Sequence, residues 1–396
     1  MARRQFALLM AMILAVGPFA VNAYLPGMPS MASHLNVGTE SIATTVSLYI
    51  FGMALGQILG GPLADRFEKR TIIVVGLSLY AACSIVITCS DNFHILQLSR
   101  VFQAIGGGFA TVCIAPLVRE REKGNNAAKL FGLIGLIMVM APAIAPSIGA
   151  FILLFGQWQN IFYFTSFYAA LVALLVALFL PVSSKKHTKS STPAYKRYLT
   201  VVQNKVAMCY LLVQACSYSV MMVFVTNASF IYQDVFGLDA QMFALAFAVN
   251  TLGNIVVNRS NSKLLRTTPA YKLLKLAILL QAVFVCVLPL FIFLKVPVYI
   301  FVIGVIGAIG MLGAIMPNAN ALYMSQFTDD TGAASALLGA GQYLTGALMG
   351  GLTSLFYNGS LWPIVVVMLT LVVISNSALP RNIYKPKPGD KEISEK

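Results

Sequence analysis

The sequence predicts an all-α integral membrane protein with twelve transmembrane helices, arranged as two six-helix pseudo-repeats. Of its 396 residues, 58% are hydrophobic and only 10% are charged, with a mean hydropathy of +0.81. Soluble domains carry about 25% charged residues, so a chain this poor in charge cannot cover a water-facing surface. Long apolar runs recur along the chain, and the basic residues cluster between them.

Each apolar run is long enough to cross a bilayer, whose core of about 30 Å needs about 20 apolar residues per helix. The predicted spans are 6–25, 41–64, 71–90, 95–118, 130–153, 160–180, 206–231, 240–258, 273–294, 297–322, 332–356 and 361–379. The long polar stretch between the sixth and seventh spans is rich in Ser, Thr and Lys. The predicted organisation is therefore an N-terminal bundle (1–180), a basic linker (181–205), a C-terminal bundle (206–379) and a tail (380–396).

The distribution of charge predicts the orientation of the chain. With a cytoplasmic N-terminus, 25 of the 27 Lys and Arg residues fall on the cytoplasmic side, the exceptions being Arg100 and Lys295. This asymmetry follows the positive-inside rule and predicts a multi-pass protein of the bacterial inner membrane with both termini in the cytoplasm. It also explains the net charge of +14 without a nucleic-acid partner.

Several other classes of protein are disfavoured by the residue pattern. The six cysteines lie within apolar runs without a CxxC pair, and the three histidines are scattered, so neither a disulfide framework nor a metal site is predicted. No phosphate-binding glycine loop is present, which disfavours ATP as the energy source. No nucleophile, acid or metal constellation lies at membrane depth, so we expect neither an enzyme nor a bound cofactor.

The loop after the second span carries the first recognisable motif. Residues 61–70 read Gly-Pro-Leu-Ala-Asp-Arg-Phe-Glu-Lys-Arg, and an Asp at a helix end flanked by cations can interact with a neighbouring helix terminus. The loop resembles the signature G-x-L-A-D-R-x-G-R-R of the major facilitator superfamily, with a glutamate where that family prefers glycine. The resemblance implies a role in conformational switching for Gly61, Asp65, Arg66 and Arg70.

The fourth span contains a charged residue within the membrane. Residues 98–108 read Leu-Ser-Arg-Val-Phe-Gln-Ala-Ile-Gly-Gly-Gly and resemble the R-x-x-Q-G motif of the same superfamily, with the glycine displaced. An ionisable residue at this depth is costly unless paired or hydrated, and marks a functional site by default. We therefore expect Arg100 and Gln103 to bind substrate; the alternative is that Arg100 snorkels to the nearby membrane surface.

The fifth span resembles the antiporter motif G-P-x-x-G-G of the superfamily. Residues 145–150 read Ala-Pro-Ser-Ile-Gly-Ala, so two of the motif glycines are replaced by alanine. The resemblance implies that Pro146 and Gly149 take part in conformational switching, and it favours export over import. Pro146 is also expected to kink the helix.

The end of the first span resembles the D-x-Y-L-P-x-x-P start of the Bcr/CflA branch of the drug:proton antiporters. Residues 22–29 read Asn-Ala-Tyr-Leu-Pro-Gly-Met-Pro, and segments 229–238, 317–321 and 332–339 also resemble that branch. The resemblance implies a two-half carrier with a site near the midplane, and makes Asn22 and Tyr24 candidate substrate-binding residues. Asn22 stands where the branch usually has Asp.

The replacement of that Asp by Asn22 puts the ion coupling of the branch in question. None of the thirteen acidic residues is expected at the membrane midplane, whereas proton coupling ordinarily uses a buried carboxylate of raised pKa. The substitution also leaves Arg100 without an acidic partner at that position. An anionic solute could complete the pair, and neutral phenicol-type drugs could bind through Asn22, Tyr24 and Gln103. Alternatively, helix carbonyls and Gln57 satisfy Arg100.

Further candidates are polar residues within the spans, each of which is either a ligand or an interhelical hydrogen bond. These residues are Tyr49, Gln57, Gln214, Tyr218, Asn227, Asn250, Asn254, Asn320 and Gln342. Tyr49 of the second span joins the predicted substrate-binding set. Asn227 and Asn250 complete it, because the second half otherwise offers no charge.

The resemblance implies a monomeric secondary active exporter of small molecules, of the drug or multidrug efflux type. The alternative is export of an endogenous anionic metabolite, such as a carboxylate siderophore, without the usual proton coupling.

Overall fold

The computed structural model describes residues 3–121, 125–181, 194–327, 331–356 and 359–380. Within these ranges it describes all side chains except those of residues 3, 65, 119, 125–129, 131–133, 135–139, 194–196, 331 and 332. The predicted tail from residue 381 onward and most of the predicted linker lie outside the described residues. Every regular element in the described part is helical.

The predicted spans all coincide with helices. The α-helices are α1 (Arg3–Asn22), α2 (Met28–Leu35), α3 (Thr39–Arg66), α4 (Lys69–Thr88), α5 (Phe93–Val112), α6 (Ile114–Arg121), α7 (Asn125–Phe155), α8 (Gln159–Phe179), α9 (Ala194–Gln203), α10 (Lys205–Ser229), α11 (Ala240–Leu264), α12 (Ala270–Phe293), α13 (Val298–Gly310), α14 (Leu312–Met324), α15 (Thr331–Leu355) and α16 (Trp362–Ala378). A 3₁₀ turn (Leu25–Gly27) joins α1 to α2, and a π-helical turn (Phe230–Val235) extends α10.

Length and hydropathy are sufficient for membrane crossing in most of these elements. Nine helical segments of the described chain meet both requirements, and the described parts of α7 and α16 are shorter apolar helices. Helix α15 has 25 residues and no charged residue. Large apolar side chains are exposed on α7 and α8, for example Phe155 at 78% and Phe167 at 68%. Such surfaces suit a lipid environment rather than water.

Two details of the helical pattern differ from the sequence prediction. Helix α9 lies in the segment predicted to be a solvated basic linker, for which no helix was predicted; its Val201 is fully buried, while its Leu199 is exposed. Helix α11 continues six residues beyond its predicted end at 258. The polar residues of both segments lowered the apolar signal, although an amphipathic helix needs only one apolar face.

The first span is broken rather than continuous. Helix α1 ends at Asn22, and the chain then forms the 3₁₀ turn with Pro26 inside it before α2 begins. Proline lacks a backbone N–H and fixes its own φ angle, so helices are commonly interrupted where it occurs. The last carbonyl groups of α1 are therefore open to partners from other helices.

Glycines allow the helices of the N-terminal part to pack closely. A Cβ atom at Gly56 of α3 would lie 2.6 Å from the Ile105 carbonyl oxygen and 3.0 Å from the Gly108 Cα of α5. On the same helix, a Cβ at Gly52 would lie 2.5 Å from the Val101 carbonyl oxygen. Gly52 and Gly56 therefore belong to a helix-packing surface, as expected for membrane helices with small residues at their interfaces.

The described chain forms two compact units. Unit 1 comprises Met1–Ser191 and Val225–Ala248, and unit 2 comprises Thr192–Phe224 and Val249–Lys396. The segment Val225–Ala248 belongs to unit 1 although it lies in the predicted C-terminal bundle; within that unit, Gln233 Nε2 lies 3.4 Å from the Pro26 carbonyl oxygen. The bundle boundaries at residues 180, 205 and 379 stay a prediction.

Candidate functional site: a buried arginine centre

Arg100 lies in the interior of unit 1 and is completely buried. Its position on α5 is fixed from both sides by hydrogen bonds. Nη1 donates to Gln103 Oε1 at 2.8 Å, one turn further along α5, and Nη2 donates to the Ala20 carbonyl oxygen at 2.9 Å. Full burial contradicts the alternative that Arg100 snorkels to the membrane surface.

The Ala20 carbonyl belongs to the last turn of α1, where backbone oxygens have no partner within the helix. A positive charge is favourable at this end of a helix because the helix dipole is negative there. Arg100 therefore caps the C-terminal end of α1 at the break in the first span. Of the partners that the sequence left open for Arg100, the structure shows one helix carbonyl, that of Ala20, while Gln57 is not among the described hydrogen-bond partners of Arg100.

Three aromatic rings surround the guanidinium group. The guanidinium carbon lies 4.2 Å from the centroid of Tyr24, 4.9 Å from that of Tyr49 and 5.3 Å from that of Phe162. Cation–π attraction contributes about 2 kcal/mol when the pair is removed from water. Tyr24 follows the end of α1, Tyr49 lies on α3 and Phe162 lies on α8, so these three rings bring three parts of the chain to Arg100 of α5. Together they stabilise its positive charge, for which the described residues provide no carboxylate partner.

Hydrogen bonds extend from the arginine to α4. Gln103 Nε2 donates to Ser84 Oγ at 2.7 Å, and Ser84 Oγ donates to the Tyr80 carbonyl oxygen at 2.9 Å. Such a continuous buried network specifies one arrangement of its helices. Within the described atoms, only the Nε of Arg100 among its nitrogens is buried without a hydrogen-bond partner.

Asn22 and Tyr24 lie on either side of the point where α1 ends, and of the two only Tyr24 has a described contact with Arg100. Asn22 is 6% exposed, and its Nδ2 donates to the Pro18 carbonyl oxygen at 2.8 Å. Tyr24 contacts Arg100 and shares a 2.9 Å hydrogen bond with Thr45 Oγ1. The structure therefore brings together Tyr24, Tyr49, Arg100 and Gln103, while the Asn22 amide binds the backbone of its own helix.

The two asparagines predicted from the second half do not belong to one unit. Asn227 and Asn250 are both 3% exposed, but Asn227 lies in unit 1 and Asn250 in unit 2. Their joint role in substrate binding stays a prediction.

The predicted switch loop follows α3. Arg66 is exposed, and Gly61 is half-buried within α3; the side chain of Asp65 lies outside the described part. Arg70 Nη2 donates to the Ala177 carbonyl oxygen in the last turn of α8. This contact pairs a cation with a helix C-terminus, as the dipole favours.

A neighbouring ion pair was not anticipated from the sequence. Lys69 Nζ lies 2.8 Å from Glu120 Oε1, with 8% and 32% of the respective side chains exposed. It joins the start of α4 to α6. The two residues are 51 positions apart, so spacing alone gave no signal of their proximity.

Gly149 makes α7 fit against the broken first span. A Cβ atom at this position would collide with the Ala23 carbonyl oxygen and lie 3.3 Å from Pro26 Cγ. Pro146, one turn earlier in α7, is buried. The antiporter-like motif and the 22–29 motif are therefore in direct contact, although sequence reasoning treated them as separate features.

The geometry defines a class of protein: a multi-pass helical membrane protein with a buried cationic centre beside a broken helix. A model of the Major Facilitator Superfamily matches residues 10–350, and the chain belongs to this superfamily. The family and its relatives are transporters and not enzymes.

Two relatives and one solved structure define the similarity further. A bicyclomycin resistance protein homolog of Haemophilus influenzae is 28% identical over 373 residues, covering 93% of this chain and 94% of that protein. Multidrug resistance protein MdtL of Citrobacter koseri is 25% identical, over 59% of each chain. The crystal structure of a D-xylose–proton symporter superposes with a TM-score of 0.77 at 14% identity, covering 96% and 99% of the two chains, and shows the shared fold.

Proposed function

We propose that this protein is a secondary active exporter of drug-type small molecules in the bacterial inner membrane. The observation that carries the proposal is the similarity, over nearly its whole length, to a bicyclomycin resistance homolog. The contact of Gly149 with the break at Ala23 supports it, because the antiporter-like motif then touches the end of α1, which the buried Arg100 caps. None of the relatives described above is named for siderophore export, and that alternative is set aside.

The orientation and assembly belong to the same proposal. Both termini lie in the cytoplasm, as the positive-inside rule requires of the charge distribution. The carrier works as a monomer, moving solute by alternating exposure of one site to the two sides of the membrane. Gly61, Asp65, Arg66, Arg70, Pro146 and Gly149 take part in the switching.

The role of Arg100 in this proposal is to hold the broken helix and the substrate-facing tyrosines together. Both of its Nη groups are engaged with protein oxygens, and its charge is enclosed by Tyr24, Tyr49 and Phe162. An anionic solute would have to approach the remaining Nε or displace one of these oxygens. The pairing of Arg100 with an anionic solute therefore stays a prediction that the transport of anions by Arg100→Gln can test.

The proposal also concerns the energy source of transport. No Asp or Glu side chain in the described part of the chain is buried, and Asn22 cannot exchange a proton. We propose that a pH gradient drives this carrier weakly or not at all. If transport is strongly coupled to protons, Asp234 is the first residue to examine, because it is a carboxylate in the π-helical turn that extends α10.

Expression in an efflux-deficient bacterial host tests the proposed function. The wild-type chain should raise the inhibitory concentration of bicyclomycin and lower its accumulation in the cells. Gly149→Leu provides the inactive comparison, because its side chain cannot fit against Ala23. Unchanged resistance and accumulation for bicyclomycin and for a panel of other drugs, with the protein present in the membrane, would contradict the proposal.

A further inference from the structure

A second polar cluster lies within unit 2, between α10 and α15. Gln214 Nε2 donates to Gln342 Oε1 at 2.9 Å. Tyr218, one turn beyond Gln214, meets Tyr343 edge-on, with the ring centroids 5.6 Å apart and the planes at 87°. Two glutamines and two tyrosines from two helices therefore form one group, which we call the Gln–Tyr cluster.

The cluster has unused hydrogen-bonding capacity. Gln214 is 3% exposed, and its Oε1 is buried without a hydrogen-bond partner among the described atoms. A buried carbonyl oxygen left in this state costs about 1–3 kcal/mol. Gln342, Tyr218 and Tyr343 are only half-buried, so the group remains accessible to a small molecule.

The cluster also lacks formal charge. Helix α15 has no charged residue, and in α10 only Lys205, at its first position, is charged. The five Asp and Glu residues of unit 2 are at positions 329, 330, 390, 392 and 395. None of these positions belongs to α10 or to the middle of α15, and all five lie outside the described residues. Amides and phenols offer both donors and acceptors, which suits hydroxyl and amide groups.

Close helix packing fixes the aromatic part of the cluster. A Cβ atom at Gly346 would lie 3.1 Å from Tyr218 Cε1 and 3.0 Å from Met222 Cγ. The glycine therefore lets the backbone of α15 approach the Tyr218 ring. Two rigid rings with few rotatable bonds lose little conformational entropy when a ligand binds against them.

We propose that the Gln–Tyr cluster is a solute-binding subsite for the uncharged, hydroxyl- or amide-bearing part of the exported molecule. The inference rests on the proposed export function and specifies its substrate class. A ligand hydroxyl or N–H donates to Gln214 Oε1, while the half-buried Gln342 amide and the tyrosine hydroxyls supply the remaining donors and acceptors. The tyrosine faces provide apolar contact for the ligand's ring.

Reconstituted full-length protein in proteoliposomes tests the subsite with two probes. Chloramphenicol is uncharged and carries two hydroxyls and an amide, whereas tetraphenylphosphonium is a lipophilic cation without hydrogen-bonding groups. Gln214→Leu and Gln342→Leu should each raise the KM for chloramphenicol by about tenfold, as expected for loss of a buried hydrogen bond. The maximal rate, and the KM for tetraphenylphosphonium, should change less than about twofold.

Two further variants separate binding from folding. Gln281→Leu is the matched control, because Gln281 is a fully buried glutamine of unit 2 whose Nε2 binds the Ala308 backbone carbonyl; the KM for chloramphenicol should not change. Tyr343→Phe retains the ring and removes only the hydroxyl, and should raise that KM by about three- to tenfold.

The outcomes distinguish failure of the subsite from failure of the export function. Wild-type protein that moves neither chloramphenicol nor tetraphenylphosphonium nor bicyclomycin contradicts both. Wild-type transport with equal KM increases in the Gln281 and Gln342 variants, or transport of the cation alone, overturns the subsite and leaves export intact. An equal KM increase for both probes in the Gln214 variant also overturns it, because tetraphenylphosphonium has no hydrogen-bonding group and the substitution would then act through packing and not through a lost hydrogen bond.

Discussion

The packing of α3 on α5 allows a quantitative test with a single methyl group. In Gly56→Ala the new Cβ would lie 2.6 Å from the Ile105 carbonyl oxygen and 3.0 Å from Gly108 Cα. Ordinary C···O contacts are about 3.3 Å or longer, so the two helices must separate locally by about 0.7 Å. Both neighbouring atoms are backbone, which cannot turn aside as a flexible side chain would.

Overpacking of this kind costs about 1–3 kcal/mol. For a domain of 150–250 residues that corresponds to a decrease in Tm of about 2–12 °C. Because α3 also carries Tyr49, whose ring lies 4.9 Å from the Arg100 guanidinium, the separation should also lower transport activity. Helix Gly-to-Ala changes without a steric conflict are instead neutral or favourable.

The assay is thermal unfolding of purified protein in detergent, together with transport in proteoliposomes. Gly17→Ala on α1 is the matched control, since its Cβ would meet only the Met53 Cε, at 3.9 Å. We expect a lower Tm and lower transport for Gly56→Ala and no loss for Gly17→Ala. Equal stability and activity of the two variants would refute the close packing of α3 on α5.

Three further changes test the remaining features. Arg100→Lys should reduce transport at least about tenfold although the charge is kept, because lysine lacks the planar fork that binds two oxygens at once; wild-type rates in vesicles would contradict the capping role. Asn22→Asp should increase the dependence of transport on an imposed pH gradient, because it places a protonatable carboxyl group at a position that is 6% exposed, where the asparagine amide cannot exchange a proton; an identical gradient response in the variant and the wild type would count against it. Lys69→Glu should lower stability by about 1–3 kcal/mol and Glu120→Lys should restore it in the double variant; additive losses in thermal unfolding would exclude a direct ion pair.

The membrane class and the helix positions could be predicted from the sequence because they depend on apolar length and charge placement. Those properties are local, and all predicted spans coincide with helices in the structure. The helix α9 was missed because its segment is polar on one face. The first span was predicted to run from 6 to 25; its break after Asn22, the 3₁₀ turn and the separate α2 were not anticipated.

The candidate site was only partly predictable, for a physical reason. Arg100 could be predicted because a charged side chain within an apolar span is energetically costly and therefore marks a functional site. Gln103 was suggested by the resemblance of residues 98–108 to the R-x-x-Q-G motif. Phe162 and Ser84, which complete the surroundings of Arg100, are ordinary residues of membrane helices and carry no signal until the helices pack. The partner of the guanidinium was expected to be a solute, a carbonyl or Gln57; the backbone oxygen of Ala20 is used because the helix break leaves it open.

The Gln–Tyr cluster of unit 2 was also only partly predictable from the sequence. Gln214, Tyr218 and Gln342 stood out as polar residues within spans, and the bond between the two glutamines confirms an interhelical contact. Tyr343 did not stand out, because its pairing with Tyr218 depends on how α15 packs at Gly346.

The central claim, that this superfamily member is a carrier that exports drug-type solutes, is tested most directly by counterflow in proteoliposomes. Vesicles preloaded with unlabelled bicyclomycin should transiently accumulate labelled bicyclomycin above the external concentration, with a rate that saturates as the solute concentration rises. A flux that stays linear with concentration and shows no transient accumulation would contradict a carrier with an alternately exposed site.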